Sequence, residues 1–99
     1  MLLHIVSKSP SKSDAVASCF RVAVDNSGIL LIEDGVYAVI SYYSDAKARG
    51  ELNNVQVYAL KSDLAARGIE NKCSPDITKI DYSEFVELTE KFHSSHSWF

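Results

Sequence analysis

The stretch Leu2-Leu3-His4-Ile5-Val6, followed at once by Ser7-Lys8-Ser9-Pro10, governs the reading of the whole chain. A strand with one wet face alternates apolar and polar residues. A nearly unbroken apolar run suits a strand covered on both faces, as in a parallel sheet. Ile29-Leu30-Leu31-Ile32 repeats the pattern, Val55-Gln56-Val57-Tyr58-Ala59-Leu60 supplies a third run and Asp76-Ile77-Thr78-Lys79-Ile80 a short fourth. Parallel strands need long crossovers, and the intervening segments carry helical signatures. The expected fold is therefore α/β: a single open, mostly parallel sheet of four to five strands flanked by helices, forming one domain over residues 1–99 with no internal repeat.

The crossovers predict their own boundaries. Ser11 is placed to cap a helix, with Asp14 as its reciprocal partner, and Val16, Cys19, Phe20 and Ala23 share one apolar face. That helix should stop near Asp25-Asn26-Ser27-Gly28, where Asn and Gly tolerate the left-handed conformation. Glu33-Asp34-Gly35 closes the second strand, with Asp34 as the cap of a short helix beginning at Val36. Residues 41–54 carry the weakest pattern, a single helical turn in Asp45-Ala46-Lys47-Ala48-Arg49. Ser62 caps a helix that Arg67-Gly68-Ile69 ends as a Schellman motif, a glycine followed by an apolar residue. The last helix has the fullest signature: Asp81 as N-cap, Glu84 completing a capping box, Ile80 stapled on Phe85, and Phe85, Leu88, Thr89 and Phe92 on one face. His93 falls in its last turn, where positive charge suits the dipole. The tail Ser97-Trp98-Phe99 is apolar enough to add a strand or to dock on a partner.

With 46% hydrophobic and 23% charged residues, four glycines and two prolines, a disordered or collagen-like chain is excluded. No apolar run approaches the roughly 20 residues of a membrane span, and no basic region precedes the short apolar start, so neither a membrane segment nor a secretory signal is expected. The net charge of -3 offers no basic stripe for direct nucleic-acid contact. Cys19 and Cys73 read as free thiols of a reducing cytoplasm, and neither belongs to a CxxC pair that would suggest zinc.

Ligands of such sheets bind beyond the carboxyl ends of the strands, which draws attention to residues 7–13, 33–37 and 61–63. The first segment, four serines and two lysines before a helix, could seat an anion on backbone N–H groups, although a solvated turn with a cap is the simpler reading. No glycine-rich nucleotide fingerprint is present, and no cofactor is expected. Glu33 and Asp34 are neighbours that would point to opposite faces of a strand, a poor acid–base pair. His4 reads as a core histidine, and His93 with His96 as an incidental pair rather than metal ligands. Cys19 is the candidate catalytic residue, a nucleophile or persulfide carrier, yet its phase with Val16 and Phe20 favours core packing. Cys73, in the polar loop Glu70-Asn71-Lys72-Cys73-Ser74-Pro75, should be more exposed and has no base beside it.

In order along the chain, Leu3-His4 with Ser7-Lys8-Ser9-Pro10, Ser18-Cys19-Phe20, Leu30-Leu31-Ile32-Glu33-Asp34-Gly35-Val36-Tyr37-Ala38, Val57-Tyr58-Ala59-Leu60, Asp63-Leu64-Ala65-Ala66-Arg67-Gly68, the run from Ile80 to Thr89, and Ser97-Trp98-Phe99 resemble the DsrH/TusB family over the full length. The resemblance implies a DsrE/DsrF/DsrH-like domain, an accessory subunit of a cytoplasmic sulfur-relay complex. Its partners would be two homologous DsrE/DsrF-type (TusD/TusC-like) subunits, with two copies of each chain in a heterohexamer. In the TusBCD branch, persulfide sulfur passes from TusA to TusE towards 2-thiouridine at the tRNA wobble position; in the DsrEFH branch, the complex serves oxidative sulfur metabolism. In both, the main sulfur-carrying cysteine belongs to the DsrE/TusD-type subunit. Cys19 matches a cysteine of DsrH proteins and of some TusB proteins, whereas Cys73 and residues 41–54 match no family motif. The expected function is a relay subunit for tRNA thiolation. The alternatives are the oxidative branch and a stand-alone small-molecule-binding α/β domain, which would have no homologous partners.

Overall fold

The computed structural model describes residues 2–98. Strands β1 (Leu2–Val6), β2 (Gly28–Leu31), β3 (Gln56–Leu60), β4 (Thr78–Ile80) and β5 (Ser94–Trp98) form one sheet in the order β4-β3-β2-β1-β5. All four pairings are parallel, so the expected sheet is present and is wholly rather than mostly parallel. The helices are α1 (Ala15–Val22), α2 (Ala38–Ser41), α3 (Tyr43–Ala48), α4 (Lys61–Ala66) and α5 (Tyr82–Phe92).

The strand order distributes the helices. Each step from β1 to β4 moves one strand the same way, so right-handed crossovers put α1 to α4 on one face. The step from β4 to β5 runs back across the sheet and puts α5 on the other. Side-chain alternation along the strands fills both layers. Val6, Ile29, Leu31 and Val57 meet Val16, Cys19, Phe20, Val36 and Leu64 on the first face. Leu3, Leu30, Tyr58, Leu60 and Ile80 meet Leu88 and Phe92 on the second.

Two local signatures form as expected. Asp81 accepts from the Glu84 N–H at 2.9 Å while the Glu84 carboxylate accepts from the Asp81 N–H at 3.0 Å, a complete capping box. Gly68, at φ +66°, donates to the Ala65 carbonyl and Ile69 donates to that of Leu64, each at 3.1 Å, the two bonds of a Schellman stop.

Elsewhere the boundaries differ from the sequence expectation. α1 begins at Ala15 rather than after Ser11, because Ser9 through Lys12 close a separate turn (Lys12 N–H to the Ser9 carbonyl, 3.1 Å). Ser13, not Ser11, accepts from a helix-entry N–H, that of Ala15 at 3.1 Å. The helix also ends early, with Ala23 already extended. Asp34 caps nothing: Glu33–Tyr37 is a 3-10 helix entered from Ile32, and the Asp34 carboxylate is turned to Arg67. α4 springs directly from β3 with Leu60 at its N-cap, so Ser62 lies inside it. In the segment of weakest pattern, the expected single turn is the six-residue α3, held by Tyr43 and Ala46 in the core. His93 is the left-handed C-cap of α5 (φ 65°) rather than part of its last turn. The tail forms β5; Phe99 lies outside the described residues.

Candidate functional site

The carboxyl ends of β1, β2 and β3 are tied together by backbone and charge. The Ile32 N–H donates to the Val6 carbonyl at 3.0 Å, and Gly35 packs so closely on that carbonyl that any Cβ would collide with it. Glu33 is held in the left-handed region (φ 49°), an uncommon conformation for a residue with a side chain, by its N–H donating to Asp63 Oδ2 at 2.7 Å. Arg67 completes the arrangement. Its Nε and Nη2 donate to Asp34 Oδ1 at 3.1 and 2.9 Å, its Nη1 donates to the Asp63 carbonyl at 3.1 Å, and its guanidinium lies 5.9 Å from the Tyr37 ring centre.

Around this cluster lie two adjoining clefts. One, of about 650 Å³, runs between the residue 7–13 loop and Arg67, with Lys8, Lys12, Glu33 and Asp34 on its walls. The other, of about 420 Å³, adds Tyr37, Ile40 and Ser41. Three cations thus face two carboxylates, and Arg67 is already engaged by Asp34, which leaves Lys8 and Lys12 as a modest cationic lip. Glu33 and Asp34 do lie together in the cleft, but Asp34 is neutralised by Arg67 and neither is buried, so the geometry gives no poised acid–base pair.

Neither cysteine reaches these clefts. Cys19 is fully buried on the inner face of α1, among Val16, Phe20 and Leu31, and burial pushes its thiol up to about 12. Phe20 beside it makes an edge-to-face contact with Tyr42, ring centres 5.4 Å apart. Cys73 is half-buried; burial raises its pKa, opposed by the positive charge of Lys79.

The histidines separate clearly. His4 is buried at 5% exposure and its Nδ1 accepts from Trp98 Nε1 at 3.1 Å, joining β1 to the tail strand. His96 lies in register with His4 across the β1–β5 pair, and its ring meets the Trp98 ring edge-on at 5.3 Å. Burial first, and the charge of His96 second, lower the His4 pKa. Among the described residues, no group of three or more His, Cys, Asp or Glu side chains could hold a metal ion.

Sequence reasoning missed the Arg67–Asp34–Asp63 cluster and the His4–Trp98 link. The first carried a partial signal, because Asp63 and Arg67 are four apart on a helix that starts at a strand end. The second carried none, since pairing residues 4 and 98 requires the strand order.

A wholly parallel five-stranded sheet, with four helices on one face, a single crossing helix on the other and a cleft at the strand ends, defines an open α/β protein of one particular topology. The ychN protein of Escherichia coli shares that topology, with a TM-score of 0.81 at 17% identity over 98% of this chain and 97% of that one, which is a likeness of fold. A Thermotoga maritima protein solved by NMR follows at a TM-score of 0.68 and 28% identity, over 92% and 93%. A family model described as "DsrH like protein" matches residues 8–95. The proteins named "Protein TusB" from Escherichia coli O81 (strain ED1a) and O6:K15:H31 (strain 536) are each 36% identical, over 98% of this chain and 100% of their own length. The chain belongs to the DsrH/TusB family.

Proposed function

We propose that this chain is the non-catalytic, TusB-type subunit of a cytoplasmic persulfide-relay complex serving 2-thiouridine formation at the tRNA wobble position. Full-length identity to proteins named TusB supports the tRNA branch over the oxidative one. The partners are two homologous DsrE/DsrF-type (TusD/TusC-like) subunits in a heterohexamer, which exchanges sulfur with carriers of the TusA and TusE kind. In line with this reading, no helix of the described residues is long and apolar enough to cross a membrane.

The burial of Cys19 is the observation that carries the accessory role. Each relay step has an acceptor thiolate attack the outer sulfur of a donor persulfide. One S–S bond forms, the other breaks, and the donor leaves as a thiolate. The attacking group must be ionised and reachable. A thiol with no exposed surface and a pKa pushed up to about 12 is neither. Cys19 therefore serves as a small hydrophobe in this subunit, and the sulfur-carrying cysteine is supplied by a partner.

The test is sulfur transfer by the assembled complex bearing Cys19→Ala, alongside alkylation of the folded chain. Retained transfer, with Cys73 labelled much faster than Cys19, supports the accessory role. Abolition of transfer by an otherwise assembled Cys19→Ala complex, or rapid labelling of Cys19, makes Cys19 a carrier.

A further inference from the structure

We infer that the cleft at the carboxyl ends of β1 and β2 binds a small zwitterion carrying one ammonium and two anionic groups, the charge pattern of an acidic amino acid or a γ-glutamyl peptide. The site is independent of the relay reading and gives this chain a ligand of its own.

The charges on the cleft walls divide into engaged and free. Arg67 donates through Nε and Nη2 to Asp34 Oδ1 and through Nη1 to the Asp63 carbonyl, with Asp63 Oδ1 3.6 Å away. Asp63 Oδ2 in turn accepts the Glu33 N–H. These groups satisfy one another. Lys8, Lys12 and the Glu33 carboxylate line the same cleft yet form no ion pair among the described residues. The two cations stand on the residue 7–13 loop, and the anion on the 3-10 helix that follows β2. Two free cations thus face one free carboxylate.

The backbone of both walls is set without a ligand. Glu33 is fixed in the left-handed region (φ 49°) by its bond to Asp63, and Gly35 is pinned on the Val6 carbonyl. Opposite, the Lys12 N–H closes a turn on the Ser9 carbonyl at 3.1 Å, and the Ser9 and Ser11 hydroxyls share a hydrogen bond at 3.0 Å. Such preorganisation lowers the cost of binding.

The pattern argues against simpler ligands. A phosphate ester would suit the lysines but be repelled by Glu33, and no glycine-rich loop is present to wrap it. A polyamine would suit Glu33 but be repelled by the lysines. A molecule with both signs satisfies all three groups, its anions at Lys8 and Lys12 and its ammonium at Glu33. The adjoining cleft can take its carbon skeleton. That cleft, of about 420 Å³, shares Lys12 and Asp34 and adds the Tyr37 ring and Ile40, 46% exposed. At about 650 Å³ the charged cleft itself has the size of a small-molecule site. It also lies where open α/β sheets ordinarily bind ligands.

Calorimetric titration of the full chain, in whatever assembly it purifies, tests this at low ionic strength with L-glutamate, glutathione and succinate as probes. The expected result is saturable binding of glutamate or glutathione, and at least tenfold weaker binding of succinate, which has both carboxylates but no amine. Lys12→Ala and Glu33→Gln should each weaken the tighter amine-bearing probe about tenfold. Lys91→Ala, which removes a cation from α5, should leave it unchanged. All three side chains are exposed, so melting should match the wild type; if Glu33→Gln disturbs its turn, the succinate comparison decides. Tighter binding of glutathione assigns the site to a γ-glutamyl peptide, and tighter binding of glutamate to the free amino acid. Succinate bound as tightly as the amine-bearing probes, or an equal loss with Lys91→Ala, overturns the zwitterion. No saturable binding of any probe up to about 10 mM overturns the site itself.

Discussion

The two faces of the sheet are built from the same strands yet do different work. On the face carrying α1 to α4, buried residues from four helices and the 3-10 helix interlock around Phe20, Cys19, Leu31 and Val36, each with no exposed surface. On the face carrying α5, one amphipathic helix closes on Leu3, Leu30 and Tyr58, and its margins stay open at Ile5, Ile32 and Phe85. The chain thus places most of its buried apolar side chains in one layer and leaves the other thinner. Cys19 belongs to the thicker layer, fully buried there, and burial raises its pKa.

Truncations on the two faces test that division most severely. Phe20→Ala should cost about 4 kcal/mol, within the usual 3–5 for a buried phenylalanine, because α1, the sheet and Tyr42 hold the cavity open. Leu88→Ala should cost about 2 kcal/mol, the low end for leucine, since the helix above it can settle into the thin layer. Urea melts at constant m-value would measure both, and equal losses would break the comparison. Glycines give a matched pair. At Gly35 a new Cβ meets the backbone at Val6, which cannot move without disturbing the strand end; Gly35→Ala should cost about 3 kcal/mol. At Gly28 the Cβ meets the tip of the Phe92 ring at 2.6 Å, a side chain in the thin layer that can swing away, so Gly28→Ala should cost about 1 kcal/mol.

This inequality explains what was legible beforehand. The apolar runs at Leu3, Ile29 and Val57 announced a parallel sheet because both faces of every inner strand need burial. Stops and starts that use local hydrogen bonds, at Gly68 and Asp81, were readable because cap and capped groups lie within a few residues. The entries to α1 and α4 were not. Their positions are set by where the strand ends, and a serine nearby in sequence is no cap unless the backbone aims its N–H groups at it. At the strand ends, residues 7–13, 33–37 and 61–63 could be located from the pattern, but not the bonds among Glu33, Asp34, Asp63 and Arg67, because the 3-10 helix and α4 lie some 30 residues apart and are joined only by the strand order. Cys19 was placed on an apolar phase by spacing, and the structure puts it there, fully covered.

The capping box allows a finer probe of the thin layer. Asp81→Ala removes the acceptor for the Glu84 N–H and should cost about 1 kcal/mol. Because α5 alone among the described residues shields that face, the loss should also appear as faster amide exchange in the first turn of the helix. Unchanged exchange there would mean that packing by Phe85 and Leu88, not the cap, fixes the helix start.

The smallest effect concerns how the tail strand is held. His4 must stay neutral to accept from Trp98 Nε1, and burial, with the charge of His96, lowers its pKa below the ordinary 6.5. The unfolded chain, where the histidine is free, then binds more protons than the folded one as pH drops. Stability is therefore fully present above about pH 6.5, and falls as pH drops through that value towards the folded pKa, with a slope of at most about 1.4 kcal/mol per pH unit for the single group. Melts between about pH 7.5 and pH 5 should show this decline. Replacing His96 with Gln removes the secondary cause and should make the decline shallower, while Trp98→Phe should lower stability by about 1 kcal/mol at neutral pH by leaving the buried Nδ1 without its donor. A profile that is flat in the wild type would mean that His4 accepts a proton without disturbing the strand beside it, and that the β1–β5 ladder alone secures the tail.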